Sequence, residues 1–169
     1  MLSLVPERNI ETEINRLITT YGNSILRMCF IYLKDIHLAE DALQDTYIKV
    51  YKNYSSFKGN SSEKTWIMRI AINVCKNYLR SSWWKRKNEE VSLESITATE
   101  NMEENDDLVL EIMKLSYKYK EVILLYYYQE LKIREIAKVL NIPESTVSIR
   151  LKRAREKLKI SLEDNRYNE

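Results

Sequence analysis

The near absence of glycine and proline is the feature that most restricts how this chain can fold. Its 169 residues include two glycines and two prolines. A fold with many strands needs tight turns, and tight turns depend heavily on these two residue types. The chain is 44% hydrophobic and is rich in Leu, Ile, Lys and Glu, which helices accept well. The sequence therefore predicts an all-α globular protein with one domain or two small ones.

The two cysteines and the single histidine form no pattern typical of a metal or catalytic site. Cys29 and Cys75 lie in apolar helical patterns without CxxC spacing or a nearby histidine, which favours buried free thiols over zinc ligands or a disulfide. His37 lies near Asp35 at an expected helix start and is predicted to be solvated. The sequence contains no glycine-rich phosphate loop, nucleophile elbow or HExxH motif. We therefore expect no enzymatic activity, no metal and no cofactor.

The sequence carries no signal for export or membrane insertion. It has no charged-then-apolar leader, and no apolar run approaches the ~20 residues needed to cross a bilayer. These features predict a cytoplasmic protein. The net charge of +2 is small, but acidic and basic residues are segregated along the chain, so a strongly basic surface can still be local.

Two or three helices are predicted near the start of the chain, where apolar residues recur every three or four positions. The pattern over residues 11–33 fits one helix or two short helices divided at Gly22. Asp35 can cap the next helix. That helix, over residues 38–54, is amphipathic and has an acidic flank.

A loop and a third helix with a basic stripe follow. Small and polar residues over 55–62 predict the loop, and Ser62 can cap a helix over residues 63–82. Between residues 61 and 87 there are seven basic residues and one acidic residue. Such a stripe can be an ordinary solvated helix face, but the lack of compensating glutamates favours a surface that binds anions. The stripe consists of Arg69, Asn73, Lys76 and Arg80.

The composition changes abruptly over residues 88–107. This stretch has eight acidic residues, no basic residue and few apolar ones. It cannot bury enough surface to offset the entropy of ordering, so we predict a flexible acidic linker between a domain at 1–87 and a domain at 108–169. Acidic linkers are usually only solvated. An alternative is that this one transiently covers the basic surfaces when nucleic acid is absent.

The second domain contains an apolar run over residues 122–128 that could be a buried strand or a buried helix. Its neighbours are helical and no partner strand is available, which favours a core helix. Tyr126, Tyr127 and Tyr128 point in three directions on such a helix, so core and interface roles are favoured over stacking on nucleic-acid bases.

Residues 134–155 have the physical features of a helix-turn-helix. Asn141 lies at the turn, where φ is often positive and where asparagine is among the few tolerated residues. Pro143 suits the start of the second helix. The predicted buried stripe of that helix consists of Val147, Leu151, Ala154 and Leu158.

The second helix of this motif suits the major groove of DNA. Short polar and apolar side chains near its start can meet base edges, and Arg or Lys further along can meet phosphates and guanine. Residues 131–159 include nine basic and three acidic residues, so binding should be sensitive to salt. A basic helical hairpin that binds a protein or a membrane is the alternative.

Two segments together resemble a known family. "AEDALQDTYIKVYKNYSSFKGNSSEKTWIMRIAINVCKNYL" and "ESTVSIRLKRAREKL" are similar to the two-domain bacterial RNA polymerase sigma factors of the extracytoplasmic-function (ECF) group, in the same order and with a linker between them. The resemblance extends from about residue 13 to residue 160. Asn141 replaces the usual turn glycine, and Pro143 and Ser145 stand where serine and glycine are common.

The resemblance implies a transcription initiation factor that binds core RNA polymerase, directs it to promoters and helps to melt them, without being a catalyst. Its implied partners are core polymerase, double-stranded promoter DNA, the melted non-template strand and, as in many relatives, an anti-sigma factor. The implied polymerase-binding residues are Asp41, Gln44 and Asp45.

The resemblance also implies a division of DNA recognition between the two domains. The −35 element would meet the recognition helix at Thr146, Ser148, Ile149, Arg150, Lys152 and Arg153. The −10 element would meet the loop and the helices beside it at Lys49, Asn53, Ser56, Phe57, Asn60, Lys64, Arg69, Asn73 and Lys76. Phe57, Asn60 and Lys64 would receive a base flipped out of the duplex.

Two other functions fit parts of the sequence. A conventional repressor or activator uses the same helix-turn-helix but normally needs symmetric dimerisation and a ligand-sensing domain, and the sequence indicates neither. An adaptor protein could use its basic helices to bind acidic partners. Initiation that depends on both this chain and core polymerase distinguishes the sigma factor from both alternatives.

Overall fold

The computed structural model describes residues 7–81 and 106–167, and within these two segments it contains seven α-helices and no strand. The all-α prediction is confirmed. The linker predicted over residues 88–107 lies outside the described residues except at its end, where a helix already begins at Asp106. The helices are α1 (Glu7–Leu33), α2 (Ile36–Asn53), α3 (Glu63–Arg80), α4 (Asp106–Lys114), α5 (Tyr117–Ile123), α6 (Ile133–Leu140) and α7 (Glu144–Tyr167).

Helix α1 is continuous through Gly22, so the first of the two sequence alternatives is correct. A Cβ at Gly22 would come no closer than 3.9 Å to a neighbouring atom, the Cγ2 of Ile18. Space therefore does not require glycine here. Packing of α1 against α2 and α3 outweighs the low helix propensity of glycine.

Both predicted N-caps are present. The Asp35 carboxylate accepts hydrogen bonds from the backbone N–H groups of His37 at 2.9 Å and Leu38 at 3.0 Å. The Ser62 hydroxyl oxygen accepts one from the Thr65 N–H at 3.1 Å. These bonds satisfy N–H groups that have no partner inside the helix, and they fix where α2 and α3 begin.

The predicted loop between α2 and α3 is confirmed. A single 3₁₀ turn, Tyr54–Ser56, extends the end of α2, and the chain then runs without regular structure to Ser62. Gly59 has a φ of +71°, a backbone conformation that glycine adopts at little cost.

The apolar run over residues 122–128 is helical, as predicted, but it is not a uniform α-helix. Helix α5 passes into a wider π turn at Leu124–Tyr128. Val122, Leu124 and Leu125 are fully buried, whereas Tyr127 is 50% exposed. Tyr126 and Tyr128 are half-buried. The periodicity of the sequence carries no signal for the wider turn.

The helix-turn-helix is formed as predicted by α6 and α7. Asn141 has φ 53° and ψ 50°, the left-handed conformation that ends α6. The N–H of Ile142 donates a 3.1 Å hydrogen bond to the Ala137 carbonyl. The predicted inner stripe of α7 is buried at Val147, Leu151, Ala154 and Leu158.

The two halves of the chain pack against each other. Residues 28–33 of α1 are buried on every side because α2 and α3 cover one part of the helix and the C-terminal half covers another. Helix α6 also lies on α3. This packing leaves Cys29 and Cys75 fully buried as free thiols, as predicted, with their Sγ atoms 3.5 Å apart.

Across residues 7–81 and 106–167, no helix has the length and apolar character required to cross a membrane. Within the same segments, no group of three His, Cys, Asp or Glu side chains could hold a metal ion. His37 is solvated, as predicted, with its side chain 87% exposed.

Candidate nucleic-acid interface

The six residues predicted to read the −35 element lie on the outer face of α7 and along its margins. Burial of the opposite stripe orients this face toward solvent, as the helical period requires. Ile149 is 51% exposed, so its apolar side chain is available for contact with a group such as a thymine methyl. Ser148, Lys152 and Arg153 are also exposed, while Thr146 and Arg150 are half-buried.

Two tyrosines of the π turn hold a further arginine beside this face. The Arg155 Nε donates a 2.6 Å hydrogen bond to the Tyr127 hydroxyl. The guanidinium also lies 5.4 Å from the ring centroid of Tyr126 and 5.5 Å from that of Tyr127. Arg155 is exposed, so it is available to phosphate while its orientation is restrained. The sequence indicated interface roles for these tyrosines but not this partner.

The loop after α2 presents an aromatic platform. The Phe57 ring stacks on the Trp66 ring, with centroids 4.8 Å apart and planes inclined by 28°. The Tyr54 ring also lies near Trp66, with the two ring centroids 6.4 Å apart. Asn60 is exposed and Lys64 is half-buried. The sequence placed Phe57 in this loop, but it did not identify Trp66 as the ring on which Phe57 stacks.

The end of α2 is arranged by local hydrogen bonds. The Asn53 side chain donates to the Lys49 carbonyl at 2.8 Å, and the Ser56 hydroxyl donates to the Asn53 carbonyl at 2.7 Å. All three side chains are exposed. They form a polar margin next to the aromatic platform that can accept a nucleic-acid backbone.

The basic stripe of α3 does not face solvent along its whole length. Asn73 and Arg69 are both exposed, but the Arg69 guanidinium donates to the Lys138 carbonyl, with its Nε at 3.1 Å. The Lys76 Nζ lies 3.4 Å from the Glu121 carboxylate. The structure therefore brings the C-terminal half onto two of the predicted phosphate-binding cations. No sequence pattern indicated these contacts, because they join residues that are 69 and 45 positions apart.

The acidic flank of α2 forms a separate surface. Asp41 and Gln44 are exposed, whereas Asp45 is half-buried and accepts a 2.7 Å hydrogen bond from the Tyr78 hydroxyl. Burial and this carboxylate together raise the pKa of Tyr78 above its usual value. On the same helix Ile48 is 45% exposed and Tyr51 is 55% exposed. Acidic groups next to exposed apolar ones suit a protein partner better than DNA.

Two family descriptions match this chain, one in each half. Residues 17–85 match sigma-70 region 2, and residues 106–158 match sigma-70 region 4. The first match contains α2, the loop and α3, and the second contains the helix-turn-helix.

Similar sequences include two from Bacillus subtilis. The chain is 32% identical over 164 residues to the ECF RNA polymerase sigma factor SigW, with 88% of each chain covered. It is 30% identical over 156 residues to the ECF RNA polymerase sigma factor SigM, with 86% of this chain and 93% of that one covered.

Two solved structures share the fold. CnrH, in complex with the cytosolic domain of CnrY, matches with a TM-score of 0.71 and 21% identity over 91% of this chain and 90% of its own. RpoE of Bartonella quintana, in complex with the anti-sigma factor NepR, matches with a TM-score of 0.71 and 19% identity over 89% and 97%. At these identities the likeness establishes the fold alone.

Proposed function

This chain belongs to the ECF group of RNA polymerase sigma factors, and from that premise we propose how its surfaces divide the work of initiation. The protein binds core RNA polymerase, directs it to promoters and assists promoter melting. It supplies recognition and leaves the chemistry of RNA synthesis to the polymerase. A cytoplasmic location follows from this partner.

Recognition of the −35 element is assigned to the outer face of α7. Ser148 and Ile149 lie in the first turns, where a recognition helix meets base edges. Lys152 and Arg153 follow one turn later, where a guanidinium can pair with guanine or phosphate. Thr146 and Arg150 complete the set and border the buried stripe.

Recognition of the −10 element is assigned to the loop after α2 and to the exposed side of α3. Melting requires bases to leave the stack, and a pocket or platform that receives them recovers part of the cost of unstacking. The Phe57 and Trp66 rings offer such a platform, with Asn60 and Lys64 beside it. Asn73 is the α3 position free to read a base, while Lys49, Asn53, Ser56, Arg69 and Lys76 are assigned to the strand's backbone.

Docking on polymerase is assigned to Asp41, Gln44 and Asp45 of α2. The neighbouring exposed Ile48 and Tyr51 would supply apolar contact area at the same surface. An anti-sigma factor is proposed as a further partner because CnrH and RpoE, which share the fold, are seen in complexes with the cytosolic domain of CnrY and with NepR. Domains are assigned to residues 1–87 and 108–169, joined by the acidic linker at 88–107.

One observation carries this proposal. The chain contains both an exposed basic recognition helix and an aromatic loop, and each lies inside the matching sigma-70 region. The test is transcription in vitro with bacterial core RNA polymerase and a library of promoter fragments. Initiation that requires both the chain and core polymerase is expected. Specific duplex binding by the chain alone, unaffected by core polymerase and without initiation, would instead identify a conventional repressor.

A further inference from the structure

Two cations of the proposed −10 surface are already bound by the chain itself. Arg69 donates to the Lys138 carbonyl at the end of α6, and Lys76 lies 3.4 Å from the carboxylate of Glu121 on α5. A carbonyl and a carboxylate offer the same chemistry as phosphate oxygens, namely acceptors for a charged donor. The C-terminal half therefore occupies positions on α3 that a DNA backbone needs.

Glu121 is the centre of this contact. Its side chain is 7% exposed, and its Oε1 accepts a 2.8 Å hydrogen bond from the Tyr32 hydroxyl of α1 while also facing the Lys76 Nζ. A carboxylate is buried at tolerable cost only when it is hydrogen-bonded and paired. Both partners of Glu121 come from the N-terminal half. Its burial therefore depends on the two halves staying together.

A second polar contact gives this interface a fixed register. The Gln129 side chain is fully buried; its Nε2 donates to the Ser24 carbonyl at 3.0 Å, and its Oε1 accepts from the Ser24 hydroxyl at 3.2 Å. The Arg27 guanidinium lies 5.0 Å from the Tyr128 ring centroid in the same region. The buried and paired Gln129 side chain specifies one docking geometry rather than a loose association.

From these contacts we propose that the C-terminal half of this chain is an intramolecular competitor of promoter DNA, with Glu121 as the latch that holds Lys76 and keeps this cation from the backbone of the −10 strand. The proposal rests on the proposed function, because it concerns the regulation of the same DNA-binding surface. DNA can recruit Lys76 only when Glu121 releases it. In the open form the two halves are apart and Lys76 is available to DNA. Because only a fraction of free molecules is open, the apparent affinity of the free chain for DNA is lowered by that fraction.

The test compares Glu121→Gln with Glu163→Gln, which removes the same charge from an exposed position on α7. The probe is a fluorescent single-stranded DNA of random sequence, because it reports backbone binding without requiring the promoter sequence. We expect Glu121→Gln to bind the probe at least about threefold more tightly than Glu163→Gln. We also expect a larger radius of gyration by small-angle X-ray scattering, whereas Glu163→Gln should match the wild type in both measurements.

Tyr32→Phe provides a second variant that leaves the Glu121 carboxylate in place and removes one of its hydrogen bonds. It should shift affinity and size in the same direction, and circular dichroism shows whether each variant is folded. Lys76→Met should weaken probe binding and abolish the gain from Glu121→Gln, since the latch then has no cation to release.

The competitor proposal is overturned if folded Glu121→Gln and Tyr32→Phe both equal Glu163→Gln in affinity and size. Wild-type initiation with core polymerase in the same preparation would leave the proposed function standing. Conversely, a wild-type chain that neither binds core polymerase nor initiates would overturn the proposed function, whatever the latch variants do.

Discussion

The Tyr127 hydroxyl accepts a 2.6 Å hydrogen bond from the Arg155 Nε, joining the π turn to the exposed side of the recognition helix. The contact restrains an arginine that would otherwise sample many rotamers. An arginine held in one orientation loses less entropy when it meets phosphate. If Arg155 meets phosphate, the π turn would support DNA binding by orienting this side chain.

Tyr127→Phe tests this role. The variant keeps the ring beside the guanidinium and removes the hydrogen bond. The free energy of binding to promoter duplex should therefore weaken by about 0.5–1.5 kcal/mol. Tyr126→Phe is the matched control, because its hydroxyl has no hydrogen bond among residues 7–81 and 106–167. Fluorescence anisotropy with holoenzyme and duplex DNA measures both. Equal affinity of the two variants would show that Arg155 is not positioned through Tyr127.

Arg153→Ala separates base reading from phosphate contact on the outer face of α7. If the guanidinium reads a base, the variant should lose about 1–3 kcal/mol on the preferred −35 sequence and little on a sequence changed at that base. Holoenzyme binding to a series of single-base variants measures this. Arg166→Ala, an exposed arginine in the last turn of α7, is the control. A uniform loss across all sequences would reassign Arg153 to phosphate.

Phe57→Ala and Asn73→Ala test the assignment of melting to the loop and α3. Both should reduce initiation on duplex promoters, because the flipped base loses its stacking ring or its hydrogen-bonding side chain. Activity should return on a promoter with a pre-melted −10 region. Ser55→Ala, an exposed change in the same loop, should behave as wild type. Equal failure of both variants on duplex and pre-melted templates would contradict the assignment.

The buried side chain of Lys120 predicts a pH dependence of stability. It is 1% exposed, and burial, followed by the charge of Lys34, lowers its pKa from 10.5 to about 7. Between these values the unfolded chain binds more protons than the folded one, so the free energy of unfolding should rise with pH. The gain from pH 7 to pH 8.5 should be about 1–2 kcal/mol. Above about pH 9 this gain in stability is opposed by Cys75. The pKa of its thiol is raised in the folded state, so the thiol ionises more readily in the unfolded chain.

Urea unfolding at several pH values measures this dependence. The Lys120 Nζ lies 4.9 Å from the Tyr117 ring centroid. Lys120→Met keeps a long apolar side chain and removes this titrating group, so the stability of the variant should vary much less between pH 7 and pH 8.5. Lys118→Met, an exposed change on the same helix, should retain the wild-type slope. A wild-type stability that is flat over this range would mean that the pKa of Lys120 is not lowered in the folded state.

The features predicted correctly from the sequence are those fixed by local physics. The caps at Asp35 and Ser62 and the positive φ of Asn141 follow from the side chain and its immediate neighbours. The buried stripe of α7 follows from the helical period. Each depends on residues within about two turns of one another, so a single sequence contains the necessary information.

The features that the sequence did not predict depend on contacts between distant segments. From the sequence, Lys76 and Arg69 were expected to be free cations. Glu121 contacts Lys76, and the Lys138 carbonyl contacts Arg69, only because the two halves pack together. The stacking of Trp66 on Phe57 likewise depends on the path of the loop. A backbone carbonyl acting as an acceptor carries no sequence signal, since every residue has one.

Asn141→Ala tests the turn that departs from the usual glycine. At φ 53° a Cβ meets the following carbonyl oxygen, and asparagine tolerates this conformation better than alanine does. The alanine variant should lose about 1 kcal/mol of stability, whereas Asn141→Gly should equal or exceed the wild type by a few tenths. Thermal unfolding ranks the three proteins. Because the turn sets the angle between α6 and α7, the alanine variant should also bind promoter DNA more weakly, whereas the glycine variant should not. An alanine variant more stable than the glycine variant would contradict the left-handed turn.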